Sequence, residues 1–276
     1  MCRAARPGQA EAMTMLASPP VRTLPSGRTA PPVSGFDVTS ASRRFRRMAA
    51  VLDRTTLLYD VATRGDEALL VSLARAGAGF AVEDAAGAAA CAPHAHAGPD
   101  RSGLVSTARL DSCDEVAAMA GSGVRTFVVR SPEETCRVAI AAPGSAVLVR
   151  VVPLSSTEEG AEGCTVPEAV TVLRQAGASG LDAVGVSFEI ASLRRSPRAI
   201  TAAVGASARL FGAAAEVGLR LDTIDLGGGL PALEDGAPPL ASYAATLDRS
   251  LLQEFGIARP QTLVRVGRAV VGAAAA

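Results

Sequence analysis

From Phe36 onward, short apolar runs alternate with stretches whose apolar residues recur at helical spacing. Runs rich in Val, Ile, Leu or Phe predict strands at 57–61, 79–82, 104–106, 126–129, 146–152, 183–188, 223–226 and 263–266. Few of these runs alternate with polar residues, which is the pattern of a strand buried on both faces. Between them the period changes. Ala68, Leu69, Val71 and Leu73 predict a helix over 67–75, and Ile200, Val204, Leu210 and Phe211 predict one over 197–217. Before the first strand, Phe45, Met48 and Leu52 share one face of a helix over 40–52.

Eight strands alternating with helices predict an α/β protein, a (β/α)8 TIM-type barrel. An open doubly wound sheet gives the same alternation, and periodicity by itself leaves both open. A barrel directs attention to the carboxyl ends of its strands, where such folds carry their sites. Residues 1–33 show no apolar period, and Pro19-Pro20 and Pro31-Pro32 interrupt them. They read as a disordered lead ahead of a folded unit over 34–276, with Met13 or Met15 as alternative starts.

Composition narrows the function classes. The 27 acidic side chains balance 27 basic ones, so no electrostatic footprint for nucleic acid or an anionic membrane surface exists. No run is long and apolar enough for a membrane span, and no apolar core precedes a cleavage site near the start. Five scattered cysteines without a C-x-x-C pair point to reduced thiols and a cytoplasmic location. All 27 basic side chains are arginine; the chain contains no lysine.

The segment most suggestive of a site is "TIDLGGGLP", a strand running into Gly227, Gly228 and Gly229. Three residues without a Cβ expose backbone N–H groups that can wrap a phosphate, or they form a flexible turn after the strand. Together with "GAAAEVGLRL", "DAVGVSFEIAS", "LLYDVATRGDEALLVSLARAGAGF" and "TLVRVGRAVVG", this segment resembles the barrel of the fold type III pyridoxal phosphate (PLP)-dependent ornithine, diaminopimelate and arginine decarboxylases. The resemblance is closest to the ornithine branch, covers about residues 35–273, and implies an alanine racemase-like PLP-binding barrel.

The resemblance also implies roles residue by residue. The family's phosphate-binding half is matched by Ser192 (with Ala191 where a glycine precedes it), by the triplet Gly227, Gly228, Gly229, and by Gly267 and Arg268. Arg150 matches a family arginine inside the barrel. The family's chemical half is replaced. Ala62 stands at the Schiff-base lysine, Glu189 at the histidine that stacks on the ring, and Arg265 at the glutamate that pairs with the pyridine nitrogen. Ala161-Glu162-Gly163 replaces a "KFG" loop, and Ala81 replaces an acid in the second strand. A guanidinium keeps its proton at any working pH, so no arginine substitutes for the missing amine. The sequence ends at Ala276, and the expectation is a barrel without the β-domain with which the family's decarboxylases continue.

Other clusters have blander readings. Cys91, His94 and His96 sit close enough for zinc, yet Pro93, Gly98 and Pro99 make an irregular loop on the barrel's far face. Asp66 in Arg64-Gly65-Asp66 reads as a helix cap. Glu189 is a candidate acid–base group or the partner of Arg265 in an ion pair filling the ring pocket; Asp225 reads as structural. Cys164 has no histidine neighbour in sequence to activate it.

Three functional expectations follow. One is a non-catalytic binder or regulator, a pseudoenzyme that forms a homodimer or a heterodimer with an active relative. Another is a repurposed enzyme that holds a phosphate-bearing small molecule through the retained cradle and acts on it with Glu189 and Arg265, or else a residual, decarboxylase-related protein of amine (polyamine) metabolism that binds PLP without a covalent link. The third is a decaying gene product, against which the intact apolar pattern of the strands argues.

Overall fold

The structure is a computed structural model that describes residues 36–95, 103–152, 163–189, 196–230 and 238–272. Eight parallel strands close on themselves in chain order, so the barrel is realised and the open sheet is not. The strands are β1 (Thr56–Asp60), β2 (Gly79–Val82), β3 (Leu104–Ser106), β4 (Thr126–Val129), β5 (Ala146–Arg150), β6 (Asp182–Ser187), β7 (Thr223–Asp225) and β8 (Gln261–Val266). Helices α1 (Val38–Val51), α2 (Glu67–Arg75), α3 (Ala85–Cys91), α4 (Cys113–Gly121), α5 (Pro132–Ala141), α6 (Val166–Ala178), α7 (Arg198–Glu216), α8 (Leu240–Phe255) and α9 (Arg268–Val271) surround them. The expected lead over 1–33 lies outside the described residues.

Closure is made by β1 against β8, where Thr56 to Tyr59 run beside Leu263 to Val266. Parallel pairing carries β8 two residues earlier than its apolar run predicts, because Gln261 and Thr262 pair with Thr223 and Ile224 of β7 whatever their polarity. At the other margin, Val151 leaves the β5 ladder and forms a bridge with Cys164 instead, so the expected strand over 146–152 ends at Arg150.

Helix boundaries follow local chemistry. Asp37 accepts from the amides of Thr39 and Ser40 at the start of α1, and Ser112 and Ser131 cap α4 and α5 in the same way. Asp66 occupies the cap position of α2 but does not cap it: its carboxylate pairs with Arg64, whose guanidinium also lies 4.2 Å from the Phe36 ring. The nearby cation takes the oxygen that the helix amide would otherwise receive.

Alternation along the strands sorts side chains into two cores. Outward-facing residues such as Tyr59, Phe80, Phe127, Val149 and Val264 pack under the helices. Inward-facing Leu58, Ala81, Val105, Val128, Leu148, Val184 and Leu263 fill the lumen as a separate apolar plug. Between β5 and β6 the register slips at Val147/Leu148. Just beyond the slip, β6 comes so close to β7 that a Cβ on Gly185 would overlap the Thr223 carbonyl oxygen. Gly185→Ala should therefore destabilise the barrel by about 1–3 kcal/mol or more. Urea unfolding of the variant checks this, and an unchanged midpoint would contradict the close approach.

Candidate functional site at the carboxyl end of the barrel

One step beyond the apolar plug, the same inward-facing positions turn polar. Asp60 follows Leu58 by two residues, Arg150 follows Leu148, and Arg265 follows Leu263, so the strand period of two directs all three into the mouth. Asp225 and Ser187 join them from β7 and β6. Arg150, Arg265, Ser187 and Asp225 are buried, and Asp225 is fully so.

Asp225 is held on all sides. Its Oδ2 accepts from Ser187 Oγ at 2.7 Å and its Oδ1 accepts from the Gly227 amide at 2.8 Å. The Arg265 Nε lies 3.7 Å from Oδ2. Arg265 donates from Nη2 to the Phe188 carbonyl at 3.1 Å and to Glu189 Oε2. Arg150 Nη1 reaches that same Glu189 oxygen at 3.0 Å. One carboxylate oxygen thus ties together two buried arginines from β5 and β8. The expected ion pair of Glu189 with Arg265 is present, and Arg150 is its third member.

The electrostatics follow from burial and pairing. Burial opposes the Arg265 charge, but Asp225 and Glu189 outweigh it and hold its pKa above the ordinary value. Burial and the Arg265 charge push Arg150 below its ordinary value. Burial would raise Glu189, yet Arg265 and Arg150 overcome it and keep its carboxyl low. Asp60 moves the other way: burial raises it despite Arg265 nearby.

The glycine segment has structural duties of its own. Gly227 has φ +78° and Gly229 φ +104°, in the left-handed region that favours glycine. A Cβ on Gly227 would overlap the Phe188 carbonyl, and the Arg265 amide donates to the Gly227 carbonyl at 2.9 Å. The triplet therefore threads the chain between β6 and β8. Gly267 likewise lets the turn after β8 lie against Thr63, where a Cβ would overlap the threonine hydroxyl. Arg268 is exposed at the mouth, and Ala62 is exposed at the end of β1 with its amide donating to Asp60 Oδ1 at 3.2 Å. Ser192, Ala161, Glu162 and His96 lie outside the described residues, so the serine that the resemblance assigns to phosphate binding is not among the residues placed here.

The remaining candidates separate from the mouth. Cys91 is fully buried, and burial pushes its thiol up to about 12. Among the described residues no three His, Cys, Asp or Glu side chains group as a metal site. Cys164 is pushed up to about 11 by burial and donates its thiol to the Arg130 carbonyl at 3.1 Å.

Residues 38–272 match the family described as pyridoxal-dependent decarboxylase, pyridoxal binding domain. The chain belongs to that family. Its relatives place it with the fold type III PLP-dependent enzymes, in the ornithine branch. A lysine/ornithine decarboxylase of Selenomonas ruminantium is 30% identical over 203 residues, covering 72% of this chain and 50% of that protein. The solved structure of lysine decarboxylase from Selenomonas ruminantium superposes with a TM-score of 0.75 at 26% identity, over 86% of this chain and 62% of that one. A protein named antizyme inhibitor 2, from Xenopus laevis, is 23% identical over 223 residues, covering 79% of this chain and 48% of that protein. The chain spans about half the length of the curated relatives it matches. No helix among the described residues is long and apolar enough to cross a membrane.

The Glu189 bridge sets a pH signature. With its folded-state pKa depressed, Glu189 contributes stability above its ordinary value of about 4.3, and loses it as pH falls through the lowered one. Asp60, raised, has the opposite sign; its largest cause, burial, is common to wild type and a Glu189→Gln variant, and the lesser part that the Glu189 charge adds works against the bridge. Wild type should melt at a higher temperature than Glu189→Gln at pH 7. That gap should close as pH falls from about 5 towards 3; a gap independent of pH would refute the bridge.

Proposed function

We propose that this chain is a non-catalytic member of the decarboxylase family, a pseudoenzyme that binds or regulates and does not decarboxylate. The observation that carries this reading is the Arg150–Glu189–Arg265 bridge across the barrel mouth. In the family pattern, position 265 belongs to the acid that pairs with a protonated ring nitrogen, and position 189 to the histidine that stacks on the ring. Here a fixed cation sits at the first and its counter-ion at the second. A pyridinium placed against Arg265 would meet like charge in a buried site, which costs far more than at a surface.

Pyridoxal phosphate, the group that the family's name implies, does not fit these residues in the form the family uses it. The covalent link needs an amine, and the chain offers the methyl group of Ala62 at the end of β1. No reaction step is therefore assigned to the group.

The regulatory side of the reading rests on kinship. One relative is named for inhibition of an antizyme and not for a reaction, and a barrel of this type offers surfaces for a copy of itself or for an active relative. Four unpaired cysteines among the described residues agree with a reducing, cytoplasmic setting.

Purified protein supplied with pyridoxal phosphate and, in turn, ornithine, lysine and arginine should release no carbon dioxide above a protein-free control. Ala62→Lys alone should not restore release, because Arg265 still faces the ring. Release by the unaltered chain would overturn the reading.

A further inference from the structure

Two guanidinium groups converge at the mouth with more donors than acceptors. Arg150 and Arg265 stand on β5 and β8, which are not neighbours in the closed sheet, so they meet across the lumen and not along a ladder. Each is more than nine-tenths buried. A guanidinium carries five N–H bonds in a planar fork. Arg150 is given one acceptor oxygen, Glu189 Oε2 at 3.0 Å, and Arg265 is given that same oxygen and the Phe188 carbonyl. Among the described residues, the Nε of both arginines is buried without a hydrogen-bond partner. Asp225 balances the Arg265 charge but, at 3.7 Å from Nε and with its oxygens serving Ser187 and Gly227, accepts no hydrogen bond from it.

The group that bridges the two arginines is the least anchored member of the cluster. The Glu189 side chain is 56% exposed, whereas the arginines it joins are 5% and 6% exposed. Its backbone lies two residues past the end of β6, and no hydrogen bond to it beyond those of the two arginines is found among the described residues. Buried cations with spare donors and a solvent-reachable carboxylate are the parts of an anion site filled by a side chain of the same molecule. The spare donors do not suit a cation, and the neighbouring Arg268 adds a further positive charge that Asp60 senses.

We propose that Arg150 and Arg265 form a binding site for a small oxyanion, a carboxylate or a phosphate, and that Glu189 is its built-in competitor. The ligand takes over the bonds that Glu189 Oε2 accepts and brings further oxygens to the unused donors, while Glu189 swings into solvent. A planar or tetrahedral oxyanion can meet two forks at once, which one Glu189 oxygen does only through single contacts. Asp225 and Asp60 weaken the site for any anion, so the unaltered chain binds modestly, and the Glu189 carboxylate sets the threshold. The glycine triplet lies against this site, Gly227 beside Arg265 and Gly228 beside Glu189, but the ligand's bonds are assigned to the two arginines and not to the triplet or Arg268. The site gives the proposed binding function a ligand class and rests on that reading only to that extent, since a decarboxylation assay and an anion titration fail independently.

The test is calorimetric titration of the full chain with malonate and, separately, inorganic phosphate, at pH 7 and constant ionic strength. Glu189→Gln should bind one of the two at least about tenfold more tightly than wild type, which corresponds to about 1.4 kcal/mol. The anion that gains names the class. Adding Arg150→Lys to Glu189→Gln keeps the charge but removes the fork, and should lose most of the gain. If Glu189→Gln does not fold, Glu189→Asp carries the comparison: its shorter carboxylate competes less well, so its affinity should exceed that of wild type. Equal affinities in wild type and the Glu189 variant for both anions, including no binding by either protein, would overturn the proposal.

Discussion

A guanidinium buried in the lumen of a barrel must have its charge answered by other side chains, and Arg265 imposes that requirement on everything around it. Water cannot supply the counter-charge at a residue 6% exposed. Asp225 answers from β7, and Glu189 answers from the segment after β6 while also reaching Arg150. The arrangement of the mouth follows. Ser187 and the Gly227 amide orient Asp225, the Phe188 carbonyl takes one Arg265 donor, and Gly227 is glycine because any larger residue would strike that carbonyl. The site is built from the inside out by one cation that cannot be neutralised.

The barrel is what brings these groups together. They come from strands distant in sequence, and only closure of β1 on β8 sets Asp60, Arg265 and Arg150 around a common axis. The apolar plug below them, with Leu58, Leu148 and Leu263 on the same strands, excludes water from one side. At the end of the sheet where such barrels carry their sites, this one carries an ionic cluster whose one half-exposed member is the Glu189 carboxylate.

The strands were legible because burial on both faces leaves a continuous apolar run, and seven of the eight begin within one residue of the run that predicts them. The exception, β8, begins early at Gln261 and Thr262, since backbone pairing with a neighbour does not require an apolar side chain. The Arg265–Glu189 pairing was open to inference because departures at two separate segments of the family resemblance carried opposite charges. Two features were harder to read. Arg150 gave no sign that it shares the Glu189 oxygen, although its spacing of two from Leu148 placed it on the lumen face. Asp60 was hidden inside a motif, and its membership depends on the same period of two after Leu58. The Asp66 cap failed for a local reason, since the Arg64 charge outcompetes a helix amide for a carboxylate.

Glu189 and Arg265 act as one energetic unit, and a double-mutant cycle measures the coupling between them. Urea unfolding of wild type, Glu189→Gln, Arg265→Met and the double variant at pH 7 gives the coupling between them. A coupling of at least about 0.5–1 kcal/mol is predicted, at the lower end of the range for contacting residues because the carboxylate is half-exposed. Additive losses, with no coupling beyond experimental error, would contradict the claim and leave the barrel mouth without its organising interaction.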